Sequence, residues 1–371
     1  MSLLSRERMM LMDKFAFILH PLGFEDFYRK FNWMEKLPKT ILKKATKYAP
    51  PFKISKITGI KSKTGREIEG YFYACPLTSD QIINLDTDFV INKITKAVKK
   101  AEESGIKIVG LGSFTSVVGD KGITINKNSK VPVTTGNSYT VATALEGTKL
   151  AAQKMNLDFE KELVTVIGAN GSIGKTVSRL IARDAKNLLL VSRDLEKLEK
   201  LKETIATENM NINVDFTDQI DKALENSRII ITVTGAVESL INPAELLSGS
   251  VVCDVARPRD VAHNVGHQRD DVLVIEGGIV NIPGNVNFNF NFGVKGQNAY
   301  ACMAETMLLT LERKFTSYSL GPDIEIEKVK EMQKLAQRHG FKLAGLRSYG
   351  HLLEDKKIEK IKNNSKQKST A

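Results

Sequence analysis

Apolar runs and polar breaks along the chain predict short buried strands alternating with amphipathic helices. The run Phe15–Leu19 reads as a strand stopped by Pro21 and Gly23. Residues 54–73 alternate polar and apolar around Lys63-Thr64-Gly65, the pattern of a hairpin. Residues 87–104 set Val90, Ile94 and Val98 on one helical face, and the strand that follows from Ile106 enters a glycine-rich loop. A long helix is expected from Tyr139 to about Met155, with Ser138 as its cap. Beyond it, strands recur near 163–167, 187–192, 212–216, 228–233, 250–255 and 272–275, with helical segments between most of them. A helix opens near Gln297, and an amphipathic one from Ile324 to Arg338 stops at His339-Gly340. From Asp355 the chain is rich in lysine and asparagine, so a frayed or disordered end is expected. Trp33, the only tryptophan, is expected in a core.

This order predicts an α/β protein of more than one domain, for which 371 residues suffice. An N-terminal α/β substrate domain is expected over 13–138. A doubly wound parallel sheet of the Rossmann type follows over 139–285, entered by the linking helix. C-terminal helices over 286–354 pack back, and residues 355–371 form a basic tail. With 42% hydrophobic and 26% charged residues the composition is that of an ordinary globular protein.

The strand at 163–167 breaks into Gly168-Ala169-Asn170-Gly171-Ser172-Ile173-Gly174, and a helix follows from Lys175. A strand, a tight glycine turn and a helix start make a dinucleotide fingerprint. Gly168 permits the turn, Gly171 lets backbone approach a pyrophosphate, and Gly174 lets helix and strand pack closely. The spacing departs from the commonest G-x-G-x-x-G. The next strand ends at Ser192-Arg193 where an NAD site usually carries an acid, and a hydroxyl beside a guanidinium suits the 2′-phosphate of NADPH. The competing reading of Arg193 is a solvated surface side chain. Thr234-Gly235 and Gly277-Gly278, at later strand ends, are expected beside the cofactor.

Two further loops carry hydroxyls and amides: Gly112 to Ser116, with Ser113, Thr115 and Ser116, and Val133 to Ser138, with Thr135 and Asn137. Such loops serve small-molecule contacts and ordinary turn chemistry alike. His20, closing its strand, either touches substrate or caps the strand. Cys302 falls early in a helix, where the dipole and free N–H groups favour a thiolate; the alternative is a small buried hydrophobe. Cys253 lies inside a strand and is expected to be packed.

Cys75, Cys253 and Cys302 show neither metal-ligand spacing nor a disulfide pattern, so no metal is expected and a reducing cytoplasm is. No apolar run is long enough to span a bilayer. Residues 1–12 carry Arg6 and Arg8 before an apolar stretch without a cleavage site, so no signal peptide is expected. The net charge of +11, clustered at Lys36–Lys47, Lys53–Lys63, Lys93–Lys100 and the tail, favours an acidic partner or reflects solvated lysine faces.

Seven collinear segments resemble the long-chain acyl-[acyl-carrier-protein] reductases best known from cyanobacteria. They are Phe17-Ile-Leu-His20, Gly110-Leu-Gly-Ser-Phe-Thr-Ser116, Thr134-Thr-Gly-Asn137, Gly168 to Gly174, Glu276-Gly-Gly278, Ala301-Cys302-Met-Ala-Glu305 and Arg338-His-Gly-Phe341. The resemblance spans roughly positions 15–345 and implies that Cys302 accepts the acyl group from a carrier protein or CoA. It also implies NADPH as hydride donor and a fatty aldehyde as product. An acidic carrier protein, and no nucleic acid, is then the expected partner. Residues 283–298, the more basic N-terminal region and the basic tail depart from the family's pattern. A shikimate-dehydrogenase-like or glutamyl-tRNA-reductase-like oxidoreductase, and a non-catalytic NADP(H)-binding regulator, are the alternatives.

Overall fold

The computed structural model describes residues 12–28, 31–235, 240–256, 259–262 and 265–369. The N-terminal stretch that bears on a signal peptide, residues 1–11, lies outside them. In chain order the first strands are β1 (Asp13–Leu19), β2 (Phe52–Lys61), β3 (Glu67–Ala74), β4 (Ile108–Leu111) and β5 (Val133–Thr134). Then come β6 (Leu163–Ile167), β7 (Asn187–Val191), β8 (Asn213–Thr217), β9 (Ile229–Thr232), β10 (Val251–Asp254) and β11 (Leu273–Glu276). β12 (Ile279–Asn281) and β13 (Gly284–Asn287) follow. The chain divides into two compact units. Unit 1 holds residues 1–136, 281–322 and 331–342; unit 2 holds 137–280, 323–330 and 343–371.

Unit 1 is built on a sheet of order β13-β2-β3-β1-β4-β5. β1 runs parallel to β3 and β4, and β4 to β5, while β2 is antiparallel to β3 and to β13. Alternation along β1 sends Ala16 and Ile18 to one face, into a core with Val90, Ile94 and Val98 of the Thr87–Glu102 helix. Phe15 and Phe17 take the other face, where the Ala301–Glu312 helix packs across β1, β3 and β4. Glycines make room for their rings. A Cβ at Gly70 would stand 2.2 Å from the Phe15 ring, and one at Gly112 would stand 2.5 Å from Phe17.

Unit 2 has the sheet order β11-β10-β9-β6-β7-β8, with every pairing parallel. Counted from β6 this is the 3-2-1-4-5-6 order of a doubly wound dinucleotide fold, as the strand pattern predicts. The order reverses between β6 and β9, so a ligand crevice belongs at their carboxyl ends. The Asn137–Lys154 helix packs on β9, β10 and β11.

Four expectations need correction. The segment 286–354 is no separate piece: the Ala301–Glu312 helix belongs to unit 1, and residues 343–354 belong to unit 2. Trp33 is 63% exposed, because the short turn Asn32–Lys36 buries none of its residues. The helix after β5 starts at Asn137, so Ser138 sits inside its first turn rather than capping it. The tail is a helix from Asp355 to Ser369. It inserts Ile358, and its Lys368 pairs with Asp270 at 2.8 Å and Asp271 at 3.2 Å. Ser365 is buried too, and Asn364 donates to Asp270, so docking rests on these contacts and the ion pairs rather than on a run of apolar residues.

Candidate functional site

The glycine turn of unit 2 is held by its own backbone. Gly168 has φ +86°, and the N–H groups of Gly168 and Ala169 both donate to Val191 O, at 2.8 and 3.1 Å. That folds the turn over the end of β7. A Cβ on Gly168 would lie 3.0 Å from Val233 O at the end of β9, and one on Gly174 would lie 2.2 Å from Gly168 O. The Ser172–Ile181 helix starts at Gly171 with no side-chain cap, so its positive N-terminal end lies at the turn. Asn170 donates from Nδ2 to Asp194 O at 2.8 Å, while its buried Oδ1 has no hydrogen-bond partner. An uncapped helix start, a turn with no room for side chains and an orphaned buried acceptor fit the phosphate and ribose of a dinucleotide. Ile173 is half-buried behind Ser172, and Arg193 stands exposed after half-buried Ser192 at the end of β7.

At the other strand ends the expected cofactor residues are bound within the fold. Both the N–H and the hydroxyl of Thr234 donate to Asp260, which is fully buried and also takes the Thr232 hydroxyl. Gly235 has open space where a Cβ would stand. Gly277 is required by packing, since a Cβ there would come within 2.7 Å of Val255 and 3.0 Å of Cys253 Sγ; Gly278 has φ +83°. Cys253 itself is fully buried, as its strand position predicts.

In unit 1, Cys302 is the second residue of the Ala301–Glu312 helix, which starts without a side-chain cap. Its neighbours Ala301, Met303 and Ala304 are buried, but Cys302 is half-buried rather than sealed in. Cys75 differs: it is fully buried, and burial pushes its thiol up to about 11. The loop after β5 lies directly on the thiol-bearing turn. Gly136 has φ +74°, and a Cβ there would stand 2.2 Å from Cys302 Cα.

The loop 112–116 and residues 133–136 of the second loop lie in unit 1 with this helix, whereas Asn137 and Ser138 fall in unit 2, and several of these groups are spent inside the fold. The Thr115 hydroxyl donates to Gly112 O at 2.7 Å and accepts from Gly112 N–H, while Ser116 donates to Ser113 O. Thr135 donates to Ser319 O. Ser113 has φ +51°, and Asn137 opens the long helix. His20 accepts the Phe114 N–H at Nε2 (3.2 Å) and donates from Nδ1 to Pro21 O (3.0 Å), so both ring nitrogens are engaged. Burial holds this ring well below its ordinary value, at about 4.

That shift has a stability consequence. Between its ordinary value of 6.5 and about 4, the unfolded chain takes up a proton that the folded His20 refuses. The stabilisation is complete above 6.5 and is lost as pH falls through that window, by at most about 3 kcal/mol. Melting temperature should therefore drop between neutral pH and pH 4 more steeply in wild type than in His20→Gln. Parallel curves for the two proteins would remove the assignment.

Sequence reasoning assigned no role to Glu305, Ser319, Gly136 or Asp260. Glu305 did leave a signal: the lone charged residue within the stretch Ala301–Leu311.

Residues 149–276 match the family described as Shikimate / quinate 5-dehydrogenase. Aminotransferase PigE from a Serratia species is 31% identical over 361 residues, covering 94% of this chain and 42% of that protein. The chain thus spans about two-fifths of that relative's length. The long-chain acyl-[acyl-carrier-protein] reductase of Synechococcus elongatus is 26% identical over 310 residues, covering 79% of this chain and 87% of that protein. A glutamyl-tRNA reductase from Cyanophora paradoxa is 24% identical over 270 residues, covering 67% of this chain and 59% of that protein. With its sheet order and glycine turn, the chain carries a doubly wound Rossmann-type domain similar to the matched part of the shikimate / quinate 5-dehydrogenases.

Proposed function

We propose that the protein reduces a fatty acyl thioester, carried by an acyl-carrier protein or CoA, to the aldehyde with NADPH. The observation that carries this reading is the placing of Cys302: half-buried, in the first turn of an uncapped helix, under a loop whose glycine lies directly on it. The family resemblance of the Ala301–Glu305 motif and the Synechococcus relative support it. First-turn N–H groups favour negative charge on the sulfur. The thiolate attacks the thioester carbonyl, the acyl group passes to Sγ, and the carrier thiol leaves with a proton. The Gly168–Gly174 turn, with Ser192 and Arg193 for the 2′-phosphate, would hold NADPH, which would supply the hydride that converts the Sγ-bound acyl group to the aldehyde and frees the sulfur. The half-buried ring of Phe292, packed on Phe72 and Phe288 and reaching Tyr300 ahead of the helix, offers apolar surface for an aliphatic chain. Exposed Lys43 and Lys44 on the Lys39–Tyr48 helix suit an acidic carrier.

A nucleophile in the N-terminal part, as a glutamyl-tRNA-reductase-like reading needs, would have to be Cys75. Its burial and raised thiol argue against that. The test is to incubate the protein with acyl-carrier and acyl-CoA thioesters without NADPH and measure intact mass. A single acyl adduct, discharged as aldehyde when NADPH is added, supports the proposal. No adduct with any thioester ends it.

Cofactor choice has its own readout. An arginine–phosphate contact contributes about 2 kcal/mol, so Arg193→Ser should lower the preference for NADPH over NADH by about 30-fold in fluorescence titrations. An unchanged ratio would return Arg193 to the solvated surface.

A further inference from the structure

We propose that Glu305 is the positioning residue of the reactive thiol, acting through Thr134 on the loop that lies over Cys302. The inference rests on Cys302 being the nucleophile. Glu305 is fully buried one helical turn beyond Cys302, among Ala304, Met307, Leu308 and Leu309, all fully buried. A carboxylate placed there costs several kcal/mol unless it is hydrogen-bonded, so an apolar residue would serve packing alone better. Its partners give it another use.

Oε1 of Glu305 accepts the Thr134 hydroxyl at 2.5 Å and the Ser319 hydroxyl at 2.8 Å. Because Thr134 spends its proton on Glu305, its oxygen is free to accept the Gly136 N–H, at 3.2 Å. Gly136 is the residue with no room for a Cβ against Cys302. On the other side, Thr135 donates to Ser319 O, and Tyr318 N–H donates to Val133 O at 3.1 Å. One carboxylate thus clamps two loops, 133–136 and 318–319, onto the first turn of the helix. Threonine at 134 is needed as a relay, because its hydroxyl must donate and accept at once. With the clamp released, Gly136 lifts from the thiol-bearing turn and the sulfur loses a fixed setting.

The test measures Cys302 itself, by the rate of alkylation with iodoacetamide read by peptide mass, alongside kcat and KM with an acyl thioester. Glu305→Ala and Thr134→Val should each slow alkylation and lower kcat by about tenfold or more, with KM within about twofold, since small misplacements of reacting groups cost this much. Glu305→Gln keeps an oxygen acceptor for both hydroxyls and should restore alkylation to within about threefold. A merely structural carboxylate would lower the melting temperature of Glu305→Ala and leave alkylation and kcat as in wild type, which overturns the proposal. Should Glu305→Ala fail to fold, Thr134→Val decides, and wild-type alkylation in that variant is equally fatal. Alkylation needs no acyl substrate. If it responds as expected while no thioester forms an adduct, the positioning role stands and the reductase reading falls.

Discussion

With Cys302 replaced by alanine, no acyl adduct should form on any thioester, and aldehyde release should fall by about 1,000-fold or more. NADPH affinity should stay close to wild type, because the substitution removes one sulfur and leaves every residue of the glycine turn in place. The fold should also survive. Cys302 is half-buried, and trimming its sulfur costs on the order of 1 kcal/mol. Loss of turnover could then not be attributed to unfolding. Intact mass with acyl-carrier and acyl-CoA substrates, together with an NADPH titration, reads all three quantities. The same variant separates the rival readings. Shikimate-type chemistry uses no cysteine and would continue in Cys302→Ala, and a non-catalytic regulator would bind NADPH without turnover in either protein. An adduct that persists on Cys302→Ala would move the nucleophile elsewhere and remove the basis of the proposed reaction.

How far the chain can be read before its structure is known depends on the kind of signal. The parallel sheet of unit 2 is legible because strands buried on both faces are nearly continuous apolar runs, such as Leu188–Val191 and Ile229–Ile231. The glycine turn is legible because only glycine fits its tight backbone approaches. Cys302 is legible as a residue near a helix start, though its half-exposure is not, since that depends on a loop more than 160 positions away in sequence. The same is true of Thr115, Ser116 and Thr135. Composition cannot tell a hydroxyl offered to a ligand from one spent on a neighbouring carbonyl, and these three donate to carbonyls. Glu305 and Asp260 lay outside the reading because a buried carboxylate's purpose lies in its partners, which come from distant loops. The tail misled for the opposite reason: its composition is that of a solvated segment, and its order comes from acids on unit 2.

Replacing Gly174 with alanine should cost the protein its dinucleotide site. The new Cβ would stand 2.2 Å from Gly168 O and 2.9 Å from Ala169 Cα, both backbone atoms that cannot turn aside as a side chain can. Relief requires the turn to shift as a body. Gly168 is held at φ +86° by its bond to Val191 O, and its own carbonyl accepts the Gly171 N–H at 3.0 Å. Movement large enough to clear the methyl group breaks those bonds and tilts the first-turn N–H groups away from the phosphates. NADPH affinity should fall by about 100-fold or more, equivalent to about 2.7 kcal/mol, and the melting temperature should drop by several degrees. Gly147→Ala, in the Asn137–Lys154 helix, supplies the contrast, since a Cβ there meets only Ile275 Cδ1 at 3.7 Å and φ is not in the left-handed region. It should bind NADPH within about threefold of wild type if the site is as inferred, because no backbone has to move. Fluorescence titration of the two variants side by side distinguishes a steric requirement at one glycine from a general intolerance of substitution. Wild-type affinity in Gly174→Ala would mean that the pyrophosphate is held somewhere other than this turn.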